Sequence, residues 1–170
     1  MEPTFNTRAI ILDKKDFREA DSRIIVFSED FGKMLLVVRG GKKIKSKLAG
    51  HSEPFTLSRL MVVRGKDFDY AGSVVGEEFY SAIKEDLDKI FIAGQAIMLV
   101  DKMTREGEVD GQKEIFNLLK EFLDELEKSS LQNSYVIPAE AGIQDFEVFS
   151  QKLTVILGFS QEDFEELRRK

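Results

Sequence analysis

The sequence predicts an α+β chain, with an N-terminal five-stranded β-barrel followed by an all-α helical domain. Three observations predict it. Up to residue 79 the apolar residues come in short, β-branched runs separated by turn signals. Beyond residue 79 the apolar period changes from two to about 3.6. The charge changes too: residues 1–66 hold 14 Lys+Arg against 8 Asp+Glu, a balance of +6, while residues 67–170 carry −12 within a total of −6. A basic first part joined to an acidic second part implies two units with different surfaces. The expected domains are 1–80 and 81–170.

Residues 7–12 (Thr-Arg-Ala-Ile-Ile-Leu) read as the first strand. Residues 13–21 are polar and read as a connection into which that strand can run. Residues 22–28 are the second strand, and Glu29-Asp-Phe-Gly32 is a turn with Gly32 at positive φ. Residues 33–39 are the third strand, close enough to form a hairpin with the second. Residues 40–53 have room for one short helix. Pro54 opens a long fourth strand, with Phe55, Leu57, Met61 and Val63 on one face and Thr56, Ser58 and Arg64 on the other. Arg64-Gly-Lys-Asp67 is a tight turn. The fifth strand covers 68–79, with bulges or bends at Gly72 and Gly76. Five short strands with a short helix between the third and fourth match an oligonucleotide-binding (OB) barrel.

Ser81 is the expected N-cap of the first helix, with Glu85 and Asp86 near its first turn. Its expected stripe is Ile83, Leu87, Ile90, Phe91, Gly94, Ile97 and Met98. From Ile90 it is apolar nearly all round, which places it at the centre of the helical domain. Residues 106–111 form a polar turn with two glycines. A second helix over 112–128 shows Ile115, Phe116, Leu119, Phe122, Leu123 and Leu126 on one face. A third, over 145–157, shows Phe146, Phe149, Leu153, Ile156 and Leu157 and stops at Gly158. Ser160-Gln-Glu-Asp163 resembles a capping box for a last short helix, with Arg168, Arg169 and Lys170 at its end. Residues 129–144 are small and polar, with Pro138 and Gly142, and read as an exposed loop. Within them, Asn133 to Gln144 resembles a peptide encoded by dispersed genomic repeats, and reads as an insertion.

The composition narrows the chemistry. There is no cysteine and only one histidine, His51, so neither a disulfide framework nor an ordinary zinc site is expected. His51 beside Ser52 and Glu53 is not a triad, and reads as a surface histidine. Glu106, Glu108 and Asp110 lack the spacing of a cation loop. Gly40-Gly41 lacks the lysine-serine ending of a phosphate-cradling loop. The chain is therefore not read as an enzyme, and no cofactor is expected. Its longest apolar run, 90–100, is too short to span a bilayer, and no signal peptide is visible. A cytoplasmic location is expected.

The positive pattern is basic. Lys42, Lys43, Lys45 and Lys47 follow closely on Arg39. Burying unpaired ammonium groups is too costly, so these side chains should project into water and suit a polyanion. Arg8, Arg23, Lys33, Arg59, Arg64 and Lys66 are available on or near the same barrel. Five cations each neutralising a phosphate of a single strand give a log–log salt slope of about −3.5. Phe17, Phe31, Phe68 and Tyr70 are candidates to face outward and stack on bases. Tyr70 is the best of them, because its hydroxyl favours a partly wet site. The expected DNA-binding set is Arg39, Lys42, Lys43, Lys45, Lys47, Arg8, Arg23, Lys33, Arg64, Lys66 and Tyr70.

Several strings recur in order and spacing: Arg8-Ala-Ile-Ile-Leu12, Glu19-Ala-Asp-Ser-Arg23, Phe27-Ser-Glu-Asp-Phe-Gly-Lys33, Val38-Arg-Gly-Gly-Lys42, Ser46-Lys-Leu-Ala-Gly50 and Pro54-Phe-Thr-Leu57, then Arg64-Gly65. On these, residues 7–79 resemble the N-terminal domain of the RecO family of bacterial recombination mediators. Residues 93–103 and 149–159 are similar more weakly. The resemblance implies a non-catalytic protein of DNA repair that binds single-stranded and duplex DNA and helps complementary strands anneal. It also implies that, with RecR, the protein helps place RecA on strands coated by single-strand DNA-binding protein, at the nucleoid. Contacts with that coating protein are implied for the helical domain. Many relatives carry a four-cysteine zinc finger near where this chain has Ser160 to Lys170, so a short form lacking the finger is expected. The alternative is a protein-interaction module that works through RecR with weak DNA affinity of its own.

Overall fold

The computed structural model describes residues 3–41, 50–108, 110–129 and 139–160. The chain divides into two units, 1–79 with 104–116, and 80–103 with 117–170.

The first unit holds a closed barrel of strand order β1-β2-β3-β5-β4. The strands are β1 (Thr4–Asp16), β2 (Ser22–Ser28), β3 (Gly32–Val38), β4 (Leu57–Val63) and β5 (Asp69–Glu78). Neighbours are antiparallel except β3 and β5, which pair in parallel at Leu36 with Asp69 and Val37 with Tyr70. This is the expected OB topology. β1 runs further than expected, because it serves two partners. It pairs with β4 from Thr4 to Ile10 and with β2 from Ala9 to Asp16, and a bulge between Ile11 and Asp13 redirects it. The strand thus runs into polar residues 13–16, as the sequence allowed, and the connection is 17–21. The core between the strands includes Ile11, Ile24, Val26, Leu36, Val38, Leu60 and Val62, with Phe5 and Phe31 packed against it.

In β4 the two faces alternate as expected, but the better-buried one carries Ser58. Ser58, Leu60 and Val62 are buried, while Met61 and Val63 are half-buried and Arg59, on their face, is exposed. The run is apolar at nearly every position, so alternation alone gave the register little to choose between. The strand also starts at Leu57 rather than Pro54, after Phe55 turns the chain at φ 64°. The glycines of β5 mark real irregularities. The β4–β5 register slips between Met61 and Val62, opposite Gly72, and between Leu57 and Ser58, beside Gly76. His51 anchors the second slip: its Nδ1 accepts the Gly76 N–H at 2.8 Å, and its ring meets Phe79 at 5.4 Å. His51 is thus half-buried and structural, not the expected surface histidine. Gly32 has the expected positive φ, 66°. Between β3 and β4, a 3-10 turn covers Gly50–Ser52.

The second unit is helical. It contains α1 (Ser81–Lys84), α2 (Leu87–Met103), most of α3 (Gln112–Lys128) and α4 (Ala139–Ile156). Ser81 is not the N-cap: Tyr80 holds that place in the left-handed region, and Ser81 lies inside the helix. The freed N–H groups of Ala82 and Ile83 go instead to the Glu127 carboxylate, each at 3.0 Å. The helix then breaks, and Asp86 starts α2 by accepting from the Asp88 and Lys89 N–H groups at 2.9 and 3.1 Å. The stripe expected on α2 is out of phase. Its buried residues are Lys89, Ile92, Ala93, Ala96, Ile97 and Val100, whereas Leu87, Phe91 and Met98 are exposed. α3 has the expected bounds, and all six of its expected apolar residues are buried.

α4 starts at Ala139, so residues 139–144 are helical rather than the expected loop. Phe149 and Leu153 are buried, and the Phe149 ring meets Phe122 at 4.8 Å. The helix stops before Gly158, which has φ 74°. Residues 130–138 and 161–170, including most of the expected insertion and last helix, lie outside the described residues. No helix among the described residues is long and apolar enough to cross a membrane.

Candidate nucleic-acid interface

Three connections of the barrel converge on one flank, and each has a local reason for its shape. Between β1 and β2, the Asp21 carbonyl accepts from the N–H groups of Phe17 (3.2 Å) and Arg18 (3.4 Å), closing a tight loop. At the end of β3, Gly40 turns at φ 67° and donates its N–H to Asp21 Oδ1 at 2.9 Å. Gly41 then passes so near Ser22 that a Cβ there would lie 2.7 Å from its Oγ. Between β4 and β5, a Cβ on Gly65 would lie 2.1 Å from the Phe68 carbonyl oxygen and 2.9 Å from the Tyr70 ring, so only glycine lets this turn close. Asp69 holds it, pairing with Arg64 and accepting the Gly65 N–H at 3.4 Å.

The side chains carried by these connections form an arginine–aromatic cluster. The Phe17 and Phe68 rings meet edge to face at 5.3 Å. The Arg23 guanidinium lies 4.2 Å from the Phe17 centroid and 5.6 Å from that of Phe68. Arg18 lies 5.0 and 5.9 Å from the same rings. Alongside, Arg39 lies 4.3 Å over Tyr70. All these distances are within cation–π range. Arg18, Arg39 and Lys66 are exposed, and Arg23 is half-buried. None of the four makes an ion pair among the described residues. The Arg23 Nε is buried without a hydrogen-bond partner. The flank therefore holds cationic groups without an ion-pair partner among the described residues.

The other expected site residues are placed differently. Arg8 donates to Glu77 at 2.9 Å, lies 3.6 Å from Glu29, and sits 5.9 Å over Phe116. Arg59 donates to the other Glu77 oxygen at 2.7 Å. Burial pushes the Glu77 carboxyl up, but hydrogen bonds and charge from Arg8 and Arg59 outweigh it and hold it below the ordinary 4.5. Lys33, at the opposite end of β3 from Arg39, donates to the Thr104 carbonyl at 3.4 Å. Arg64 is paired with Asp69 and lies 5.1 Å over Phe5. Phe31 packs on Phe5 at 4.2 Å, so it belongs to the core and not to a stacking surface. Lys42, Lys43, Lys45 and Lys47 lie outside the described residues. The structure thus brings Arg23, Arg39, Tyr70, Arg64 and Lys66 to one flank and keeps Arg8 and Lys33 away from it. It adds Arg18, which the sequence reading missed. The signal was there: Phe17-Arg18 is an aromatic–arginine pair in a loop otherwise too short and polar to need an aromatic.

In OB barrels the face of strands 2 and 3, with the 1–2 and 4–5 connections, is the side that takes oligonucleotides. Among the described residues no group of three or more His, Asp or Glu side chains is arranged to hold a metal ion. Comparison with known proteins points the same way as the fold. Residues 1–74 match the family model described as Recombination protein O N terminal. A DNA repair protein RecO of Desulforamulus reducens is 34% identical over 111 residues, covering 65% of this chain and 43% of that protein. The chain is similar to RecO proteins, and its residues 1–74 match the N-terminal domain of that family. A RecO of Syntrophomonas wolfei is 36% identical over 101 residues, 59% of this chain and 40% of the relative. A RecO of Alkaliphilus metalliredigens is 23% identical over 156 residues, which extends the RecO match to 91% of this chain and 63% of that relative. The chain spans between 40% and 63% of the length of these RecO proteins.

Proposed function

We propose that this RecO-like chain is a non-catalytic DNA-binding protein of recombinational DNA repair, acting in the cytoplasm at the nucleoid. Residues 1–80 act as the DNA-binding domain and 81–170 as the helical domain. The barrel holds single-stranded DNA, and also duplex DNA, mainly through phosphates. The contacts come from Arg23, Arg39 and Lys66 on the described flank and from Lys42, Lys43, Lys45 and Lys47 in the segment that follows it in sequence. Bound strands are presented for annealing and, with RecR, for loading of RecA onto strands coated by single-strand DNA-binding protein. One observation carries this reading: the flank that OB barrels use for oligonucleotides holds Arg18, Arg23 and Arg39, which have no carboxylate partner among the described residues. Its test is fluorescence anisotropy of a labelled single-stranded oligonucleotide across a salt series, repeated with the four lysines reversed to glutamate. Binding that weakens steeply with salt and collapses in the variant supports the reading, and no binding at low salt refutes it.

A second reading is favoured by the apolar stripe of α2, where Leu87, Phe91 and Met98 are exposed. In it the chain is an interaction module of the same pathway with weak DNA affinity of its own. The lysine reversals separate the two, because under the second reading they leave binding to RecR intact.

A further inference from the structure

The arginine–aromatic cluster is more than a phosphate site requires. Arg23 and Val37 are paired across β2 and β3, and Val37 and Tyr70 across β3 and β5. Their neighbours Ile24, Leu36 and Val38 point into the barrel core, so Arg23, Val37 and Tyr70 form a row on the opposite face of the sheet, where Val37 is itself buried between the half-buried Arg23 and Tyr70. Arg23 and Tyr70 are then two strand spacings apart, about 10 Å. At one end of the row stand Phe17 and Phe68, with Arg18 and Arg23 against them; at the other stands Tyr70, with Arg39 against it. A single arginine would suffice to tie the two loops together. Two guanidinium groups crowded on the same pair of rings repel each other. Glu19 and Asp67, the exposed carboxylates of the same two loops, pair with neither. Aromatic rings backed by guanidinium groups that have no ion pair among the described residues match a ligand with a π-face and an adjoining negative charge. A nucleotide of an unpaired strand is such a ligand, and in a duplex the base faces are already stacked on one another.

We propose that this flank is a pair of base-stacking positions, one at Phe17–Phe68 and one at Tyr70. Each takes an unstacked base, while Arg18 and Arg39 hold the neighbouring phosphates. The inference rests on the DNA-binding reading above and adds that bases, not phosphates alone, are held. The test compares a thymidine 15-mer with an abasic 15-mer of the same length and charge, binding the full chain at one salt concentration. The full chain and its Phe68→Leu and Tyr70→Leu variants are measured. The expected result is that the thymidine strand binds about tenfold more tightly or better, and that either variant narrows this preference while leaving abasic binding within about twofold. Should Phe68→Leu not fold, Tyr70→Leu decides. Equal affinity for the two strands overturns the stacking sites and leaves the phosphate reading standing. A preference that neither variant moves also overturns them. Failure to bind either strand at low salt overturns both readings together.

Discussion

Arg8 and Arg39 are the same residue type on the same barrel, yet their surroundings give them different work. Arg8 is saturated by Glu77 and Glu29, and its charge is spent inside the fold. Arg39 lies on Tyr70 and has no ion-pair partner among the described residues. Arg39→Glu should therefore lower DNA affinity and reduce the log–log salt slope by about 0.7, the share of one phosphate contact on a single strand. Arg8→Gln should leave that slope unchanged and cost up to about 1 kcal/mol in urea unfolding, since the pair is partly exposed. An unchanged slope in the first variant would remove Arg39 from the interface. Glu77 makes a related prediction about acid. Its carboxyl sits below 4.5 because of Arg8 and Arg59. Its contribution is therefore complete above the ordinary carboxylate range and is lost as pH falls through the lowered value. Glu77→Gln should lower Tm at neutral pH, and the gap between the two proteins should close as the pH falls below the ordinary carboxylate range and through the lowered value. A gap that stays constant with pH would show that Glu77 acts by packing rather than by charge.

At the scale of elements, what the sequence made legible depended on contrast. β2 is a short β-branched run closed by a serine at each end, and α3 separates apolar from polar positions at helical spacing, so their bounds were readable to the residue. α2 and β4 are apolar on nearly every side, so the type of element was readable while its phase was not. Caps made by distant residues left no local trace either. Nothing near Ser81 in sequence announces that Glu127 will accept from the first turn of α1. Lys89 is the converse case. It is buried at 5% exposure, and its Nζ donates to the carbonyls of Glu127 (3.2 Å) and Ser129 (2.7 Å), closing the C-terminal end of α3. An apolar helix with a lysine on its buried face reads as an error of phase until that helix end is known. Lys89→Met should keep the apolar stem and leave two carbonyls without their donor, costing about 2 kcal/mol in urea unfolding. Unfolding indistinguishable from wild type would mean that water replaces the ammonium group and that the cap is dispensable.

At the scale of the whole molecule, the family resemblance and the barrel were readable because their signals are local strings and short strands. The interface was readable only in part, because it is built by topology. Arg18, Arg39 and Phe68 are far apart in sequence and meet only when three connections close on one flank. Total charge misleads in the same way. A chain of net charge −6 looks unsuited to DNA, yet its first 66 residues carry +6 and the remainder −12. How strongly the acidic part is felt at the basic flank depends on screening. At 0.1 M salt the Debye length is about 10 Å, so a strand on the flank responds mainly to the cations beside it. At 0.01 M it is about 30 Å, and exposed carboxylates of the barrel's own unit, such as Glu106 and Glu114, which are screened at 0.1 M, are felt by the strand. The plot of log affinity against log salt should therefore be straight between about 0.1 and 0.3 M, with the slope of its phosphate contacts, and flatten below about 0.03 M. Replacing these carboxylates, Glu106→Gln with Glu114→Gln, should push the flattening to lower salt without changing the high-salt slope. If the line stays straight down to 0.01 M, the acidic part exerts no field at the interface, and the charge asymmetry plays no part in DNA binding.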